Sequence, residues 1–256
     1  MFISIGKTDI GLKRKVNQDY FKIGSTFNSS WAIVCDGLGG EKAGDIASKT
    51  ATEIIYSYIQ QHYKDGMSSE DIKAMLTMSF NLANAKIFDM GKENLNYEGM
   101  ATTAIVSFIV GDVLHIVHVG DSRIYLVNDE KIEQLTTDDS LVQVLIEKGT
   151  LSEEEAKKHP KRNYLIKAIG VEKNIDIYYE SFKICKNDKI LMCTDGLYNY
   201  MDDDVIKYMF NNVTFFNLTD SFIKLALDGG GSDNVTVVIM FDADYNDKGR
   251  VIVDNG

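Results

Sequence analysis

The sequence has few of the features that mark secreted, disulfide-bonded or membrane-embedded proteins. Its 256 residues include three cysteines and a single proline. An odd cysteine count without a C-x-x-C spacing argues against a disulfide framework and a zinc knuckle. The amino-terminal stretch is too polar for a signal peptide. No run approaches the roughly 18 apolar residues of a membrane span. We therefore expect a cytoplasmic protein that neither spans nor binds a membrane.

Positive charge is also scarce. The chain has 27 lysines and arginines against 38 aspartates and glutamates, which gives a formal net charge of −11. Such a surface repels nucleic acid and acidic lipid, and no long basic run offsets it. A solvated acidic surface accounts for most of this charge, but acidic residues can also be gathered to hold cations.

The chain lacks linkers and repeats as well. We find no Gly/Ser-rich or Pro-rich stretch and no solenoid period, and 45% of the residues are hydrophobic. One large domain is therefore favoured over two small ones.

Hydrophobic periodicity predicts strands, two helices, strands, two helices and a final strand. The helices are expected over residues 41–62, 69–90, 202–211 and 217–228. Ser68 with Asp71 resembles a capping box, and Gly91 is a plausible stop. The strands between residues 102 and 135 are separated by turn signals and predict an antiparallel meander. Residues 136–170 are polar and are expected to be mostly helical. Runs of each element type favour an α+β fold with two antiparallel sheets covered by helices.

Five aspartates lie at predicted strand ends, where side chains from different strands can meet at one rim: Asp19, Asp36, Asp121, Asp195 and Asp233. Each one alone is equally well explained as a turn residue, because Asp-Gly is a common turn dipeptide. The functional interpretation depends on their combination. Clustered carboxylates cannot all stay ionised without cations, and all-oxygen sites suit magnesium, manganese or calcium.

Arg14 lies in "RKVNQD", five residues before Asp19. A planar guanidinium suits a phosphate. Taken alone, however, an arginine within the short basic run "KRK" is better explained as a surface charge.

Together these segments resemble the metal-dependent serine/threonine protein phosphatases of type 2C, in the branch of bacterial stand-alone members. The resemblance runs from residue 6 to about residue 241 and follows the family's order. Eight blocks carry it: "RKVNQD", "VCDGLGG", "GMATTA", "VHVGDSRIYL", "LTTDDS", "NYLIKAIG", "LMCTDGL" and "GGGSDNVTVVIM".

The resemblance implies a four-layer α-β-β-α sandwich with metals at one rim. It implies a catalytic domain over residues 1–241, a flap over about 137–170, and a tail over 242–256. Asp36 would bridge two Mn²⁺ or Mg²⁺ ions, and the Gly37 carbonyl would bind one of them. Asp195 and Asp233 would complete the second, with Asp19 reached directly or through water.

Asp121 would bind a third, weaker metal together with Asp195, and Arg14 would hold the substrate phosphate. The implied reaction is in-line attack on phosphorus by metal-activated water, without a phosphoenzyme. The implied substrates are phosphoserine and phosphothreonine proteins, including a serine/threonine kinase and its targets. We expect a monomer.

Three positions depart from the family pattern. Leu38 stands where some members have a histidine that could act as general acid, Asp139 replaces a histidine, and Ala101 replaces a glycine. Glu41 and Lys42 are titratable neighbours, but nothing assigns the proton donor to either of them.

Two other classes of function compete with this one. A non-catalytic regulatory module on the same fold is disfavoured because all five carboxylates are present. A metal-dependent phosphodiesterase or nuclease is disfavoured by the acidic surface.

Overall fold

Two antiparallel sheets pack face to face in the computed structural model, which describes residues 2–38 and 40–242. One sheet, the β1 sheet, contains β1 (Phe2–Asp9), β7 (Arg123–Val127), β8 (Ile132–Gln134), β10 (Lys189–Cys193) and β11 (Val235–Asp242). The other, the β2 sheet, contains β2 (Asp19–Ser25), β3 (Ser29–Leu38), β4 (Ala101–Thr102), β5 (Ala104–Val110), β6 (Val113–Val119) and β9 (Tyr178–Lys183). The strand orders are β1-β11-β10-β7-β8 and β2-β3-β5-β6-β9, with β4 beside β3.

Helices cover the outer faces of both sheets. The β2 sheet packs against α1 (Gly40–His62) and α2 (Ser69–Glu93), and the β1 sheet packs against α5 (Asp195–Tyr198), α6 (Asp203–Asn212) and α7 (Phe215–Asp228). A short 3₁₀ turn spans Leu95–Tyr97, and α3 (Leu141–Glu147) and α4 (Glu153–Ala156) lie within residues 137–170, the predicted flap. The expected four-layer class is confirmed. None of the described helices has the length and hydropathy needed to cross a bilayer.

The protein has three hydrophobic cores, and alternate side chains of the same strand contribute to different cores. In β3, Trp31, Ile33 and Cys35 face α1 and α2, whereas Ala32 and Val34 face the other sheet. Successive side chains of a strand point to opposite faces, and here both faces are buried. The buried strands therefore read as continuous apolar runs rather than as alternating ones.

The predicted start of α2 is confirmed, but its predicted stop is wrong. The backbone N–H of Asp71 donates to Ser68 Oγ, and the N–H of Ser68 donates to Asp71 Oδ2, which forms a capping box. The helix continues through Gly91 to Glu93. A glycine ends a helix by adopting positive φ, and Gly91 does not adopt it.

The predicted meander is only partly correct, because β6 and β7 lie in different sheets. The chain crosses from one sheet to the other at Gly120-Asp121, where Gly120 has φ 106°. A Cβ on Gly120 would lie 2.6 Å from Cγ2 of Thr103, so this tight crossing requires glycine. Periodicity cannot show such a change of sheet, since both strands keep a period of two.

The expectation of mostly helical structure over residues 136–170 is also wrong. Only α3 and α4 form there, and Gly149 (φ 66°) follows the end of α3. The segment closes on itself instead. The N–H of Leu141 donates to the Tyr164 carbonyl, and the N–H of Ile166 donates to the Asp139 carbonyl. The predicted tail over 242–256 lies outside the described residues, except for Asp242, which ends β11.

Candidate active site

Strand register brings the first two aspartates together. Asp19 begins β2 and lies directly opposite Asp36 in the antiparallel pair with β3. The other three come from the neighbouring sheet and from the crossing between the sheets. Asp195 follows β10, Asp233 precedes β11, and Asp121 lies in the crossing turn. Both sheets therefore contribute carboxylates to one rim.

These side chains form the floor of an open cleft of about 480 Å³. Its lining includes four of the five aspartates, while Asp19 is buried behind them. Residues 13–16 form one part of its wall, and Asn163 and Leu165, within residues 137–170, form another part. The predicted convergence of the five aspartates is thus present in the fold.

Asp19 is held by two threonines of the opposite sheet. Thr194 Oγ1 and Thr236 Oγ1 donate to its Oδ2 at 2.8 and 2.7 Å. Its Oδ1 is buried and accepts no hydrogen bond from the part of the chain that the structure describes. Burial raises the pKa of Asp19 to about 7, against the two hydrogen bonds, which lower it. A buried, unpartnered carboxylate oxygen is a group that a cation would stabilise.

Burial also raises the pKa values of Asp36 and Asp195 well above their ordinary values. The charges of neighbouring carboxylates add to this effect, with Asp19 acting on Asp36 and Asp121 acting on Asp195. Like charges packed at low dielectric disfavour full ionisation. The cleft floor therefore favours binding positive charge.

Asp36 is also fixed through its backbone. Its N–H donates to Thr103 Oγ1 at 3.0 Å, and its carbonyl accepts from the N–H of Thr103 at 2.8 Å and from Thr102 Oγ1 at 2.9 Å. Thr103 Oγ1 also contacts Ser122 Oγ at 2.8 Å. This network joins the end of β3 to the crossing turn that carries Asp121.

Asp121 is linked to the base of the flap through buried polar groups. Tyr198 Oη donates to Asp121 Oδ2 at 3.1 Å, and the Arg123 guanidinium lies 3.8 Å from the centre of the Tyr198 ring. Arg123 in turn pairs with Asp138 at 2.7 Å. Burial raises the pKa of Asp121 to about 6, with the charge of Asp138 as the next cause. Asp139 supports the same turn, because its Oδ2 accepts from the N–H of Gly120 at 3.0 Å.

Arg14 contacts the carboxylate floor directly. Its Nη2 donates to Asp233 Oδ2 at 2.7 Å, and this hydrogen bond raises the pKa of the guanidinium. The predicted phosphate-binding residue and one predicted metal ligand are therefore paired with each other in the structure.

Gly37 allows a close approach of backbone segments. A Cβ at this position would lie 2.0 Å from the carbonyl oxygen of Gly44 and 2.8 Å from that of Gln18. Any larger residue would push α1 away from the end of β3. The glycine after Asp36 thus has a packing reason as well as the predicted ligand role of its carbonyl.

The donor set fits hard divalent cations, although the side chains as placed do not form a closed cage. Within residues 2–38 and 40–242, no three histidine, cysteine, aspartate or glutamate side chains are gathered closely enough to hold a metal ion. Three of the five carboxylates accept hydrogen bonds from other side chains: Asp19 from Thr194 and Thr236, Asp121 from Tyr198, and Asp233 from Arg14. Oxygen donors, burial and the unpartnered Asp19 Oδ1 match magnesium or manganese chemistry.

Sequence reasoning missed three groups that organise this cleft: the Thr103–Ser122 pair, Tyr198 and Asn234. Thr103, Ser122 and Asn234 fall inside the quoted motif blocks, and Tyr198 directly follows the block "LMCTDGL", so the blocks were a usable signal. Their hydrogen-bond partners are distant in sequence, and only the fold reveals them.

Comparison with known proteins gives consistent matches. A family model described as protein phosphatase 2C matches residues 12–229. The serine/threonine phosphatase stp of Listeria monocytogenes is 32% identical over 249 residues, which cover 95% of this chain and 97% of that protein. The structure of the S. agalactiae serine/threonine phosphatase superposes with a TM-score of 0.88 at 32% identity, covering 94% of this chain and 100% of the other. The catalytic domain of the serine/threonine protein phosphatase PstP, in complex with two manganese ions, superposes with a TM-score of 0.80 at 28% identity, covering 94% and 97%.

Proposed function

The chain belongs to the protein phosphatase 2C family, and from this we propose how its cleft performs metal-dependent hydrolysis of phosphoserine and phosphothreonine in proteins. One observation supports the proposal most strongly. Carboxylates from both sheets converge on one floor, and an arginine lies at 2.7 Å from one of them. An acidic floor with an adjacent guanidinium can hold cations and a phosphate side by side.

We assign the core metal site to Asp36, the Gly37 carbonyl, Asp195 and Asp233, with Asp19 behind them. Asp121 is assigned to a third, weaker site shared with Asp195. These residues would hold two Mn²⁺ or Mg²⁺ ions, which when bound would supply a hydroxide nucleophile at neutral pH for in-line attack on phosphorus. Arg14 binds the non-bridging phosphate oxygens and offsets their charge. The Thr102 and Thr103 contacts hold the end of β3 in place while the substrate is bound.

We also propose a domain organisation, a set of partners and a compartment for this protein. We assign residues 1–241 to one catalytic domain with a flap over about 137–170. The protein acts as a monomer. Its substrates are phosphoproteins that include a serine/threonine kinase and its targets. The three cysteines are free thiols, as in proteins of a reducing compartment, and this supports the cytoplasm as the site of action.

The Asp36→Asn variant tests the proposal. Turnover of a phosphothreonine peptide with manganese should fall about a thousandfold or more, the scale of losing a charge-stabilising group at the reacting centre. The variant should stay folded, because it relieves repulsion between Asp36 and Asp19. Asp129→Asn, at an exposed turn, is the matched control and should keep wild-type turnover.

A folded Asp36→Asn protein with near-normal turnover would overturn the metal-site assignment. Wild-type protein that binds manganese yet hydrolyses no phosphomonoester would favour the regulatory-module alternative instead.

A further inference from the structure

Among the described residues, those that form the wall of the cleft above the floor carry only positive charge. Among the lining residues outside the floor aspartates, the charged ones are Lys13, Arg14 and Lys15, and the rest are neutral. This is unusual for a chain with a net charge of −11. The part of the substrate that lies above the floor therefore meets a local field opposite in sign to that of the whole protein.

The loop that carries these cations is fixed in place. The side chain of Asn234 donates through Nδ2 to the carbonyls of Ile10 at 2.9 Å and Val16 at 3.1 Å, and its Oδ1 accepts from the N–H of Gln18 at 2.8 Å. The N–H of Leu12 donates to the Gly231 carbonyl at 2.8 Å. A single side chain thus ties both ends of residues 10–16 to the loop that carries Asp233.

The three cations of this loop have different surroundings. Arg14 is engaged with the floor through Asp233. Lys13 and Lys15 are exposed, and within the described residues Lys13 has no ion-pair partner. A lysine places a compact charge on a long flexible stem and can reach carboxylates at several positions along a bound peptide.

We propose that the basic loop, residues 10–16, selects phosphorylated peptides with acidic residues directly beside the phosphorylated one. This inference depends on the proposed function, because it takes the phosphate to lie on the floor beside Arg14. An extended peptide advances about 3.3–3.6 Å per residue, so its nearest neighbours on one side pass the wall that carries Lys13 and Lys15. Carboxylates there gain a favourable interaction, whereas lysines or arginines are repelled.

The test compares three phosphothreonine peptides that differ only in the two residues on each side of the phosphothreonine: glutamate, glutamine or lysine. With manganese, the wild type should show kcat/KM about three- to tenfold higher for the glutamate peptide than for the glutamine peptide, the range expected for two exposed charge pairs. The lysine peptide should rank last. In the Lys13→Gln/Lys15→Gln double variant, the glutamate and glutamine peptides should differ by less than about twofold.

Lys64→Gln is the matched control, because it removes the same charge at the far end of α1 and should keep the wild-type preference. Binding of phosphonate versions of the peptides, measured by fluorescence anisotropy, determines the preference independently of turnover. Equal binding of the glutamate and glutamine phosphonates by the wild type would overturn the proposal, as would an unchanged preference in the double variant. If the proposed function itself were wrong, the result would be different from these two outcomes, because the protein with manganese would not hydrolyse p-nitrophenyl phosphate.

Discussion

At the scale of single residues, Arg14 and Asp233 bring a side chain proposed to bind phosphate into contact with one proposed to bind a cation. Both side chains face the cleft, and their 2.7 Å contact uses one oxygen of Asp233. A cation on that oxygen and the guanidinium cannot occupy the same position. Under the proposed function, a cation bound at that oxygen would leave Arg14 available to bind a phosphate.

Replacing Arg14 tests this role. Arg14→Ala should mainly raise KM for a phosphopeptide and weaken inhibition by inorganic phosphate, about tenfold each, because a charge-assisted bidentate contact is lost. Arg14→Lys should restore only part of the lost affinity for the phosphopeptide and for phosphate, since an ammonium cannot contact two oxygens as the planar guanidinium does. Steady-state kinetics with phosphate as inhibitor measure both effects, and Lys224→Ala on α7 controls for a lost surface charge. Wild-type KM in both Arg14 variants would make the residue a surface cation.

At the scale of elements, the cleft depends on how loops are attached to strand ends. Asn234, just before β11, makes three hydrogen bonds to backbone groups, two in the basic loop, residues 10–16, and one at Gln18. Because Asn234 is buried, removing its amide leaves two carbonyls and one N–H without these partners. One side chain thereby determines the position of an entire wall of the cleft.

We expect Asn234→Ala to destabilise the protein by about 2–3 kcal/mol, as lost buried hydrogen bonds do. Amide hydrogen exchange of residues 10–18 should accelerate. Asn128→Ala serves as the control, because the Asn128 side chain donates to Asp188 in a turn of the same sheet. Exchange mass spectrometry should show faster exchange near residue 128 in the control and unchanged protection over residues 10–18. Equal protection of the basic loop in wild type and Asn234→Ala would exclude the clamp.

The elements also differ in how well they could be predicted from the sequence. Most element positions followed from periodicity, and the five aspartates followed from their places at strand ends together with the motif blocks. The change of sheet at Gly120 and the edge strand β9 were not predicted, because both depend on pairing between distant segments. Tyr198 and Asn234 escaped notice for the same reason, since their partners lie 77 to 224 residues away along the chain.

At the scale of the whole molecule, the acidic floor connects stability, pH and cations. Burial raises the pKa of Asp19 to about 7, whereas an unfolded aspartate titrates near pH 4. The folded state thus retains a proton that the unfolded chain releases. Its stabilising contribution is complete below about pH 4 and is lost as the pH rises through 7. Without cations, the floor therefore weakens the fold most at neutral and alkaline pH.

Asp19→Asn should therefore unfold at a higher temperature than the wild type in EDTA at pH 8, and this advantage should nearly vanish at pH 4. The full shift corresponds to about 4 kcal/mol as an upper limit. Manganese should raise the wild-type unfolding temperature more at pH 8 than at pH 5, and the variant should gain less. Differential scanning fluorimetry measures all three, with the exposed Asp129→Asn as control. A wild-type-to-variant difference that does not change with pH would contradict this explanation.

The division of the floor between two sheets has a mechanical consequence. Asp19 and Asp36 belong to one sheet, while Asp195 and Asp233 flank strands of the other, so the core between them acts as a spacer. Packed sheets are about 10 Å apart, a separation set by the volume of the interleaved side chains. A substitution such as Ile105→Val or Met192→Leu, both buried in that core, is expected to alter the gap and with it the alignment of the two halves. In the layer between the sheets, we therefore expect fewer substitutions to preserve catalysis than to preserve the fold.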